Sequence, residues 1–413
     1  MSLIVQKFGG TSVGNIAKIQ NVAKKVAAEI EKNNKVIIVV SAMSGVTNQL
    51  VGYCNEVSEL KDNDDMAEYD AIVSSGEQVT SGLLALELKK LGYKARSFTG
   101  WQIGMKTDNI HSKARIKSID KDILINELKE KDAIVIAGFQ GINDKTQRVT
   151  TLGRGGSDTT AVAIAAAVKA DICEIYTDVD GVFTTDPRIT DEAKKIDRIS
   201  YEEMLEMAFS GSKVLQTRCV VMAMTHNVKV RVLSTFEEKT ENSGTILINN
   251  NDIMEKRLIT GISQSKNEAR FTLSGMPDNP GLSANIFGSI ADNGINTDMI
   301  VQNISQDNKT VNITFTVNID DLNRTKIALE EKRQLLGYQK MLIDDNISKI
   351  SVIGVGMISN SGVAHTMFKI LADKNINISL ISTSEIKIST LIEKKFGDQV
   401  IKALHKAFDL GSS

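Results

Sequence analysis

The amino-acid sequence predicts a doubly wound α/β domain with a largely parallel sheet, followed by two ferredoxin-like βαββαβ units. Short, wholly apolar runs alternate with helical patterns up to about residue 245, as expected for parallel strands that helices cover on both faces. Beyond residue 257 the sequence repeats itself, because the segment that begins at 280 aligns without gaps with the one that begins at 361. One repeated pair is too few and too long for a solenoid.

The first domain alternates strands and helices along the chain. The expected elements are, in order, the strand in "SLIVQKFGG", the helix in "NIAKIQNVAKKVAAEIEK", the strands in "KVIIVVSA" and "DAIVIAGFQG", the helix after Asp158, and the strands in "DICEIYTDVDGV" and "VKVRVLS". Polar loops follow these strands, and ligands of such sheets bind beyond the carboxyl ends of the strands. The polar, Asn-rich segment 240–257 is the predicted linker to the second half.

The two repeated units differ in completeness. Each has the order strand, helix, strand, strand, helix, and the first can add a last strand at 337–343, whereas the second has no such strand after its final helix. Since an incomplete sheet exposes an edge, we expect 257–263 to supply the missing strand, beside the strands at 349–355 and 376–382. The expected domains are 1–245, 257–345 (its leading strand donated to the next domain) and 346–413.

Composition excludes several classes of function. With 49 basic and 51 acidic residues, the net charge of -2 argues against nucleic acid or a membrane as the main partner. The three cysteines form no C-x-x-C pair, no leader is evident and no apolar run approaches ~20 residues, so we expect a cytoplasmic protein. A Walker A sequence, a G-x-S-x-G elbow and metal-ligand spacing of the four histidines are all missing.

Two loops have the chemistry of anion sites. Lys7 precedes Gly9 and Gly10, and an ammonium beside bare backbone N–H groups can hold a phosphate. Arg154 and its glycines stand at the start of an Ala-rich helix, where free N–H groups attract an anion. The alternatives are a surface lysine beside a turn and a glycine loop that Ser157 or Asp158 merely caps.

Three further features allow both a functional and a structural interpretation. Ser74 and Glu77 fit a capping box, so Glu77 has either a structural or a binding role. The sequence "TDVDGVFTTDPR" suits either a turn or a nucleotide loop, and Lys213 is either a phosphate-facing cation or a solvated helix lysine.

Together these loops resemble those of the aspartokinases, which have the amino-acid kinase fold. The motifs that carry the resemblance, in family order, are "KFGGTSV", "SGVTN", "SGE", "TTLGRGGSD", "TDVDGVFTTDPR" and "GSKVL". The repeated half resembles the tandem ACT domains of monofunctional aspartokinases. One departure is Gln216-Thr217, where many members have His-Pro, and it puts the local backbone course in question.

The resemblance implies a transferase that moves the γ-phosphoryl group of ATP to the side-chain carboxylate of L-aspartate, giving 4-phospho-L-aspartate with Mg²⁺ as metal. This is the first step toward lysine, threonine and methionine. The implied catalytic residues are Lys7, Asp158 and Lys213. The implied ATP-binding residues are Lys7, Phe8, Gly9, Gly10, Thr177, Asp178, Phe183, Asp186, Arg188 and Lys213. The implied aspartate-binding residues are Ser41, Thr47, Glu77, Arg154, Gly155, Gly156 and Ser157.

The resemblance also implies feedback control by an amino acid, with lysine expected and threonine as a second candidate. The candidate effector residues are Asp278, Ser283, Asp298, Gln302, Asn377 and Thr383, at an interface between ACT units of two subunits of a homo-oligomer. The alternative for Asp298 is a plain ion pair on the sheet surface.

Other functions stay open at this point: glutamate 5-kinase, acetylglutamate kinase, or a non-catalytic ACT sensor. The presence of Lys7, Asp158 and Lys213 argues against a dead site. Also open are the inhibiting end product, dimer or tetramer, the metal ligands and the preferred metal, and an internal translation start near Met254.

Overall fold

A computed structural model describes residues 1–212, 214–252, 257–305, 310–360 and 362–411. The chain forms two compact units. The first comprises 1–183, 195–208 and 213–255, and the second comprises 184–194, 209–212 and 256–413. Two short stretches that lie between segments of the first unit in sequence therefore belong to the second unit. Within the described ranges, every helix is too short or too polar to cross a membrane.

The first unit contains a large sheet and two small ones. Its strands are β1 Leu3–Phe8, β2 Lys35–Val40, β3 Ala95–Phe98, β4 Lys106–Thr107, β5 Ile116–Ser118, β6 Ala133–Ala137, β7 Gln140–Asn143, β8 Val149–Thr151, β9 Ile172–Thr177, β10 Val182–Phe183, β11 Lys195–Ile196, β12 Arg198–Ser200, β13 Val230–Ser234 and β14 Thr245–Ile248. Its helices are α1 Ile16–Glu31, α2 Val46–Val57, α3 Asn63–Val73, α4 Ser75–Lys90, α5 Lys121–Glu130, α6 Gly156–Val168, α7 Tyr201–Phe209 and α8 Thr217–His226, with a 3-10 turn at Asn250–Asp252.

The large sheet has the order β12-β14-β13-β9-β1-β2-β6-β3. All its pairings are parallel except that of β13 with β14, so the predicted largely parallel α/β sheet is confirmed. Val36, Ile38 and Val40 pack with α1 and α4, while α6 also contacts β2. Because successive side chains of a strand point to opposite faces, the wholly apolar β2 reflects helices on both faces of the sheet.

The predicted linker at 240–257 is wrong in part. Residues 245–248 form β14, which lies between β12 and β13 in the large sheet. Leu247 is fully buried, and the Thr245 hydroxyl donates a hydrogen bond to the carbonyl of Ile196 at 2.5 Å. A four-residue strand within an Asn-rich segment gives little sequence signal, because its burial depends on partners that are distant in the chain.

The second unit contains two four-stranded antiparallel sheets. Its strands are β15 Gly261–Ser265, β16 Glu268–Pro277, β17 Thr297–Ile304, β18 Thr310–Asn318, β19 Lys340–Asp344, β20 Ile347–Ile353, β21 Leu380–Thr383 and β22 Lys387–Glu393. Its helices are α9 Leu282–Asp292, α10 Leu322–Glu331, α11 Arg333–Leu336, α12 Val363–Asp373 and α13 Gly397–Ala407, with 3-10 turns at Ile319–Asp321, Val355–Ser359 and Lys394–Phe396.

The sheet orders are β17-β18-β16-β19 and β15-β20-β22-β21, and both have the ferredoxin-like arrangement. In the second sheet β15 takes the place of the last strand, since it pairs antiparallel with β20 from Gly261 opposite Ile353 onward. The expected neighbour at 376–382 is wrong: β21 occupies the other edge of this sheet, because the first and third strands fill its centre.

Candidate active site

Lys7 and Asp158 form an ion pair at the carboxyl end of β1. The Nζ of Lys7 lies 2.5 Å from Oδ1 of Asp158, and each side chain is 11% exposed. Asp158 lies in the first turn of α6, so the pair joins the central strand to the start of this helix. A Cβ added at Gly9 would lie 3.3 Å from the same Nζ. The ammonium of Lys7 therefore lies beside bare backbone, as a phosphate site requires.

The loops that follow β1 and β2 contact each other. The N–H of Ser41 donates to the carbonyl of Phe8, and a Cβ at Gly10 would lie 3.0 Å from the carbonyl oxygen of Ala42. The ring of Phe8 stacks on Tyr176 with centroids 4.6 Å apart and is fully buried. Phe8, a candidate nucleotide-binding residue, can therefore contact a ligand only through its backbone.

Glu77 is a buried carboxylate with a free oxygen. It is 3% exposed, and its Oε1 accepts the N–H of Ala42 at 3.0 Å. Its Oε2 has no hydrogen-bond partner among the described residues. Burial raises the pKa of Glu77 from 4.5 to about 7, although the Ala42 N–H opposes the shift. The capping-box alternative is wrong, because the Ser74 hydroxyl donates instead to the carbonyl of Ala71.

The glycine loop before α6 has a geometry that only glycine satisfies. Gly155 has a φ of +68°, and a Cβ there would lie 2.0 Å from Cγ of Gln216. The sequence departure at Gln216 thus packs directly on this loop. Arg154 is exposed, and no ion pair or hydrogen bond joins it to another described residue. Ser157 is buried, 2.9 Å from the position of a Cβ at Gly138.

The remaining candidate residues of the first unit lie at strand ends and a helix start. Ser41 follows β2, Thr47 lies in the first turn of α2, and both are half-buried. Thr177 ends β9, and its hydroxyl donates to the exposed carboxylate of Asp178 at 3.0 Å. Phe183 ends β10.

Two candidate nucleotide residues belong to the second unit. Asp186 and Arg188 lie in the stretch 184–194, where NH2 of Arg188 lies 2.7 Å from Oδ2 of Asp186. This hydrogen bond lowers the pKa of Asp186, and the Arg188 side chain is 88% exposed. Lys213 lies outside the described residues.

The candidate effector residues lie in the two antiparallel sheets and their turns. Asp298 accepts a hydrogen bond from Nζ of Lys349 at 2.8 Å. Burial acts to raise the pKa of Asp298, but the Lys349 ammonium brings it below its usual value. The Ser283 hydroxyl lies 3.1 Å from Oε1 of Gln302. The other three candidates, all exposed, are Asp278, Asn377 and Thr383.

The sequence interpretation missed two charged residues that support the Arg154 loop, the half-buried Arg218 and the buried Asp70. Arg218 donates to the carbonyls of Leu152 and Ala114 at 2.8 and 2.7 Å. Asp70 accepts the hydroxyl of Thr151. The sequence did contain a signal for Asp70. It lies three residues from both of the buried positions 67 and 73 of α3, where helical periodicity predicts an apolar residue and not a carboxylate.

The sequence profile described as the amino acid kinase family matches residues 2–234, and an ACT domain profile matches 272–332 and 350–408. An aspartate kinase of Pseudomonas putida is 48% identical over 411 residues, which is 99% of this chain and 98% of that protein. The chain belongs to the aspartate kinases of the amino acid kinase family. An aspartokinase of Mycolicibacterium smegmatis is 45% identical over 415 residues, covering 100% of this chain and 97% of that one.

The structural comparison agrees with this assignment. Escherichia coli aspartokinase III, solved with aspartate and ADP, superposes with a TM-score of 0.80 at 26% identity, over 98% of this chain and 99% of that one. The fold is therefore the amino-acid kinase fold followed by tandem ACT domains. As an aspartate kinase, the chain is an ATP-dependent phosphotransferase with a carboxyl acceptor and a regulatory ACT pair.

Proposed function

We propose that Lys7 stabilises the phosphoryl group as it passes from ATP to the side-chain carboxylate of L-aspartate, giving 4-phospho-L-aspartate. The observation that carries this proposal is the Lys7–Asp158 pair beside the Gly9 loop. An aspartate carboxylate is already an anionic nucleophile at pH 7, so the reaction needs no general base. Asp158 holds Lys7 toward the phosphoryl group, and Lys213 supplies a second cation. Catalysis then rests on alignment and charge stabilisation.

The amino-acid end of the substrate needs partners for an ammonium and a carboxylate. Glu77 suits the ammonium, because its buried Oε2 has no partner among the described residues. Arg154 suits the α-carboxylate, since a guanidinium with no described partner can bind it in a bidentate way. Gly155, Gly156 and Ser157 line this side of the site. Ser41 and Thr47 lie near the attacking carboxylate.

For the nucleotide, the proposed contacts are the backbone of the Gly9-Gly10 loop with the phosphates, and Thr177 and Asp178 with the sugar and base. Phe183, Asp186 and Arg188 complete the proposed set. The hydrogen bond from the Thr177 hydroxyl to the Asp178 carboxylate orients both polar side chains at the end of β9, which supports a role in binding the nucleotide. Binding beyond the carboxyl ends of parallel strands is the usual arrangement in such sheets.

Mg²⁺ is the metal expected with ATP. No group of three or more His, Cys, Asp or Glu side chains within the described ranges could hold a metal ion. The residues therefore do not form a protein cage for Mg²⁺, and we assign no ligand and no step to it. In many kinases Mg²⁺ arrives with the phosphates and keeps several waters, which is compatible with this arrangement.

For regulation we propose that lysine binds the ACT pair and lowers activity, with threonine as the second candidate. Escherichia coli aspartokinase III, solved with lysine and aspartate, superposes with a TM-score of 0.76 at 27% identity, over 98% of this chain and 99% of that one. Asp298 and Gln302 are the proposed partners of the effector ammonium, and the turn from Asp278 to Ser283 offers N–H groups for its carboxylate. In the second ACT domain the ungapped repeat places Ser379 and Thr383 at the positions of Asp298 and Gln302, with Asn377 nearby, and none of the three carries a carboxylate.

We further propose a homo-oligomer assembled through ACT domains, a cytoplasmic location, and ACT domains at 257–345 and 346–413 that follow a kinase domain made of 1–245 together with the rest of β14. The pairing of β15 with β20 supports the donation of the leading strand to the second ACT domain.

Substrate choice is tested by a coupled assay with ATP, Mg²⁺ and three acceptors: aspartate, glutamate and N-acetylglutamate. We expect turnover with aspartate alone. Arg154→Ala should then raise KM for aspartate by about 10²-fold, since a charge-assisted bidentate contact is lost, while KM for ATP changes little. Equal turnover of glutamate would contradict the choice of aspartate, and an Arg154→Ala enzyme with unchanged KM for aspartate would contradict the role of Arg154.

A further inference from the structure

A buried hub centred on Asp70 lies beside the loop that carries Arg154. Asp70 is 0% exposed and accepts hydrogen bonds from the Thr151 hydroxyl at 2.5 Å and from the Ser112 N–H at 3.1 Å. Nδ1 of His111 lies 2.7 Å from Oδ2 of Asp70, and His111 is also buried. A fully buried carboxylate is costly unless such donors surround it, so the arrangement is specific.

The donors to Asp70 hold two chain segments together. Thr151 ends β8, three residues before Arg154. Its carbonyl accepts the N–H of Ala114 at 2.9 Å, and a Cβ at Gly153 would lie 2.9 Å from the carbonyl oxygen of Ser112. The segment 111–114 thus packs against the base of the Arg154 loop, and Asp70 fixes both.

Asp70 also belongs to the helix pair that carries Glu77. It lies on α3, which ends at Val73, and α4 begins at Ser75 with Glu77 in its first turn. The Gln140 side chain donates to the carbonyl of Ser74 at 2.8 Å and fixes the junction of the two helices. One buried carboxylate therefore connects the element of Glu77 to the loop of Arg154.

We propose that Asp70 is a positioning residue for the amino-acid substrate. By holding Thr151, it sets the spacing between the carboxylate that binds the ammonium of aspartate and the guanidinium that binds its α-carboxylate. This inference rests on the proposed roles of Glu77 and Arg154. Displacement of a binding group by 1 Å costs up to about 10²-fold in rate, so loss of one hub bond has a measurable effect on aspartate and little on ATP.

The test uses neighbouring threonines of β8. Thr151→Val keeps the side-chain shape and removes the hydroxyl that Asp70 accepts, whereas Thr151→Ser keeps the hydroxyl. Thr150→Val is the matched control, because its buried hydroxyl pairs instead with Thr107 at 2.6 Å. We expect Thr151→Val to raise KM for aspartate about tenfold, with KM for ATP within about twofold, and Thr151→Ser to restore it.

The outcomes separate this inference from the proposed function. If Arg154→Ala raises KM for aspartate but Thr151→Val leaves it unchanged, the positioning role of Asp70 is wrong and the substrate assignment stands. If Arg154→Ala has no effect on that KM, the proposed role of Arg154 fails, and the inference that rests on it fails as well. Equal losses in Thr151→Val and Thr150→Val, or a parallel rise in KM for ATP, would reduce the hub to a purely structural role.

Discussion

At the scale of single residues, the proposed chemistry depends most on the ammonium of Lys7. This group lies in a fixed position between the Asp158 carboxylate and the glycine backbone, so it needs little reorganisation when negative charge develops on the phosphoryl oxygens. A cation placed in this way contributes mainly to the transition state. Its removal should therefore change kcat more than KM.

Lys7→Ala should lower kcat by about 10²–10³-fold and leave KM for aspartate within a few fold. Steady-state kinetics with aspartate and ATP varied separately make the measurement. Lys24→Ala, which removes an exposed lysine of α1, is the control for a general loss of charge. The circular dichroism spectrum should be unchanged in both variants. A Lys7→Ala enzyme with near wild-type kcat would exclude this role for Lys7.

Glu77 links substrate binding to pH. Because its pKa is about 7, the carboxyl is largely protonated below that pH and must lose its proton to pair with an ammonium. We expect kcat/KM for aspartate to rise with pH through about 7 and then level off. Glu77→Gln should have a lower kcat/KM at about pH 8, with little change between about pH 6 and pH 8. An unchanged pH profile in Glu77→Gln would disprove the link.

The same residue gives a stability effect of predictable sign. Its pKa is raised from 4.5 to about 7 in the folded state, so its favourable contribution is complete below about 4.5 and is lost as pH rises through about 7. Glu77→Gln should therefore have a higher melting temperature than the wild type at about pH 8, and the difference should shrink toward pH 5. Calorimetry at both pH values makes the measurement, and a less stable variant at pH 8 would contradict the burial argument.

At the scale of elements, a strand could be predicted from the sequence where its residues form an unbroken apolar run. The strand β2 was evident because each residue from Val36 to Val40 is apolar, and both faces of this strand are covered. The strand β14 was missed, since four residues in a polar segment carry little periodicity. The hub at Asp70 was missed for a related reason: its partners Thr151 and His111 are distant in sequence, and no local pattern indicates such a contact.

The segment that leads into the donated strand β15 offers a test of its docking. A Cβ at Gly354 would lie 2.5 Å from the carbonyl oxygen of Leu258, and one at Gly356 would lie 2.5 Å from that of Arg257. Gly354→Ala and Gly356→Ala should therefore each destabilise the chain by about 1–3 kcal/mol, because backbone must move. Gly362→Ala is the control, since nothing lies within 4 Å of its Cβ position. Denaturant unfolding distinguishes them, and equal stability of all three variants would contradict the close approach.

At the scale of the whole molecule, the sequence anticipated a kinase half and a repeated half but not the exact partition. The stretches 184–194 and 209–212 belong to the second unit, although they lie between elements of the first in sequence. In the stretch 184–194, the hydroxyl of Thr184 lies 2.9 Å from Nε2 of His405 on α13. Local periodicity carries no information about contacts between residues so distant in sequence. A domain boundary placed from composition alone therefore could not assign these two stretches to the second unit.

Regulation depends on a coupling between effector binding and activity. The regulatory proposal is tested most directly at Asp298. Lys349 is 2% exposed and lies 2.8 Å from both Asp298 and Glu268. Loss of Asp298 would thus remove a candidate effector partner and also one of the two carboxylates that pair with Lys349 among the described residues. A substitution of Asp298 alone cannot separate these two effects, but comparison with a substitution of Glu268 can.

We expect Asp298→Ala to raise the lysine concentration needed for half-inhibition by about tenfold and to leave uninhibited kcat nearly unchanged, because an effector inhibits only through its preference for a less active state. Glu268→Gln, which weakens the other bond to Lys349 and leaves Asp298 in place, should retain sensitivity to lysine. If both variants lose sensitivity equally, Asp298 acts through Lys349 and not through the effector. If neither lysine nor threonine inhibits the wild type at millimolar concentrations, the regulatory proposal fails while the kinase assignment stands, since the two rest on different units of the chain.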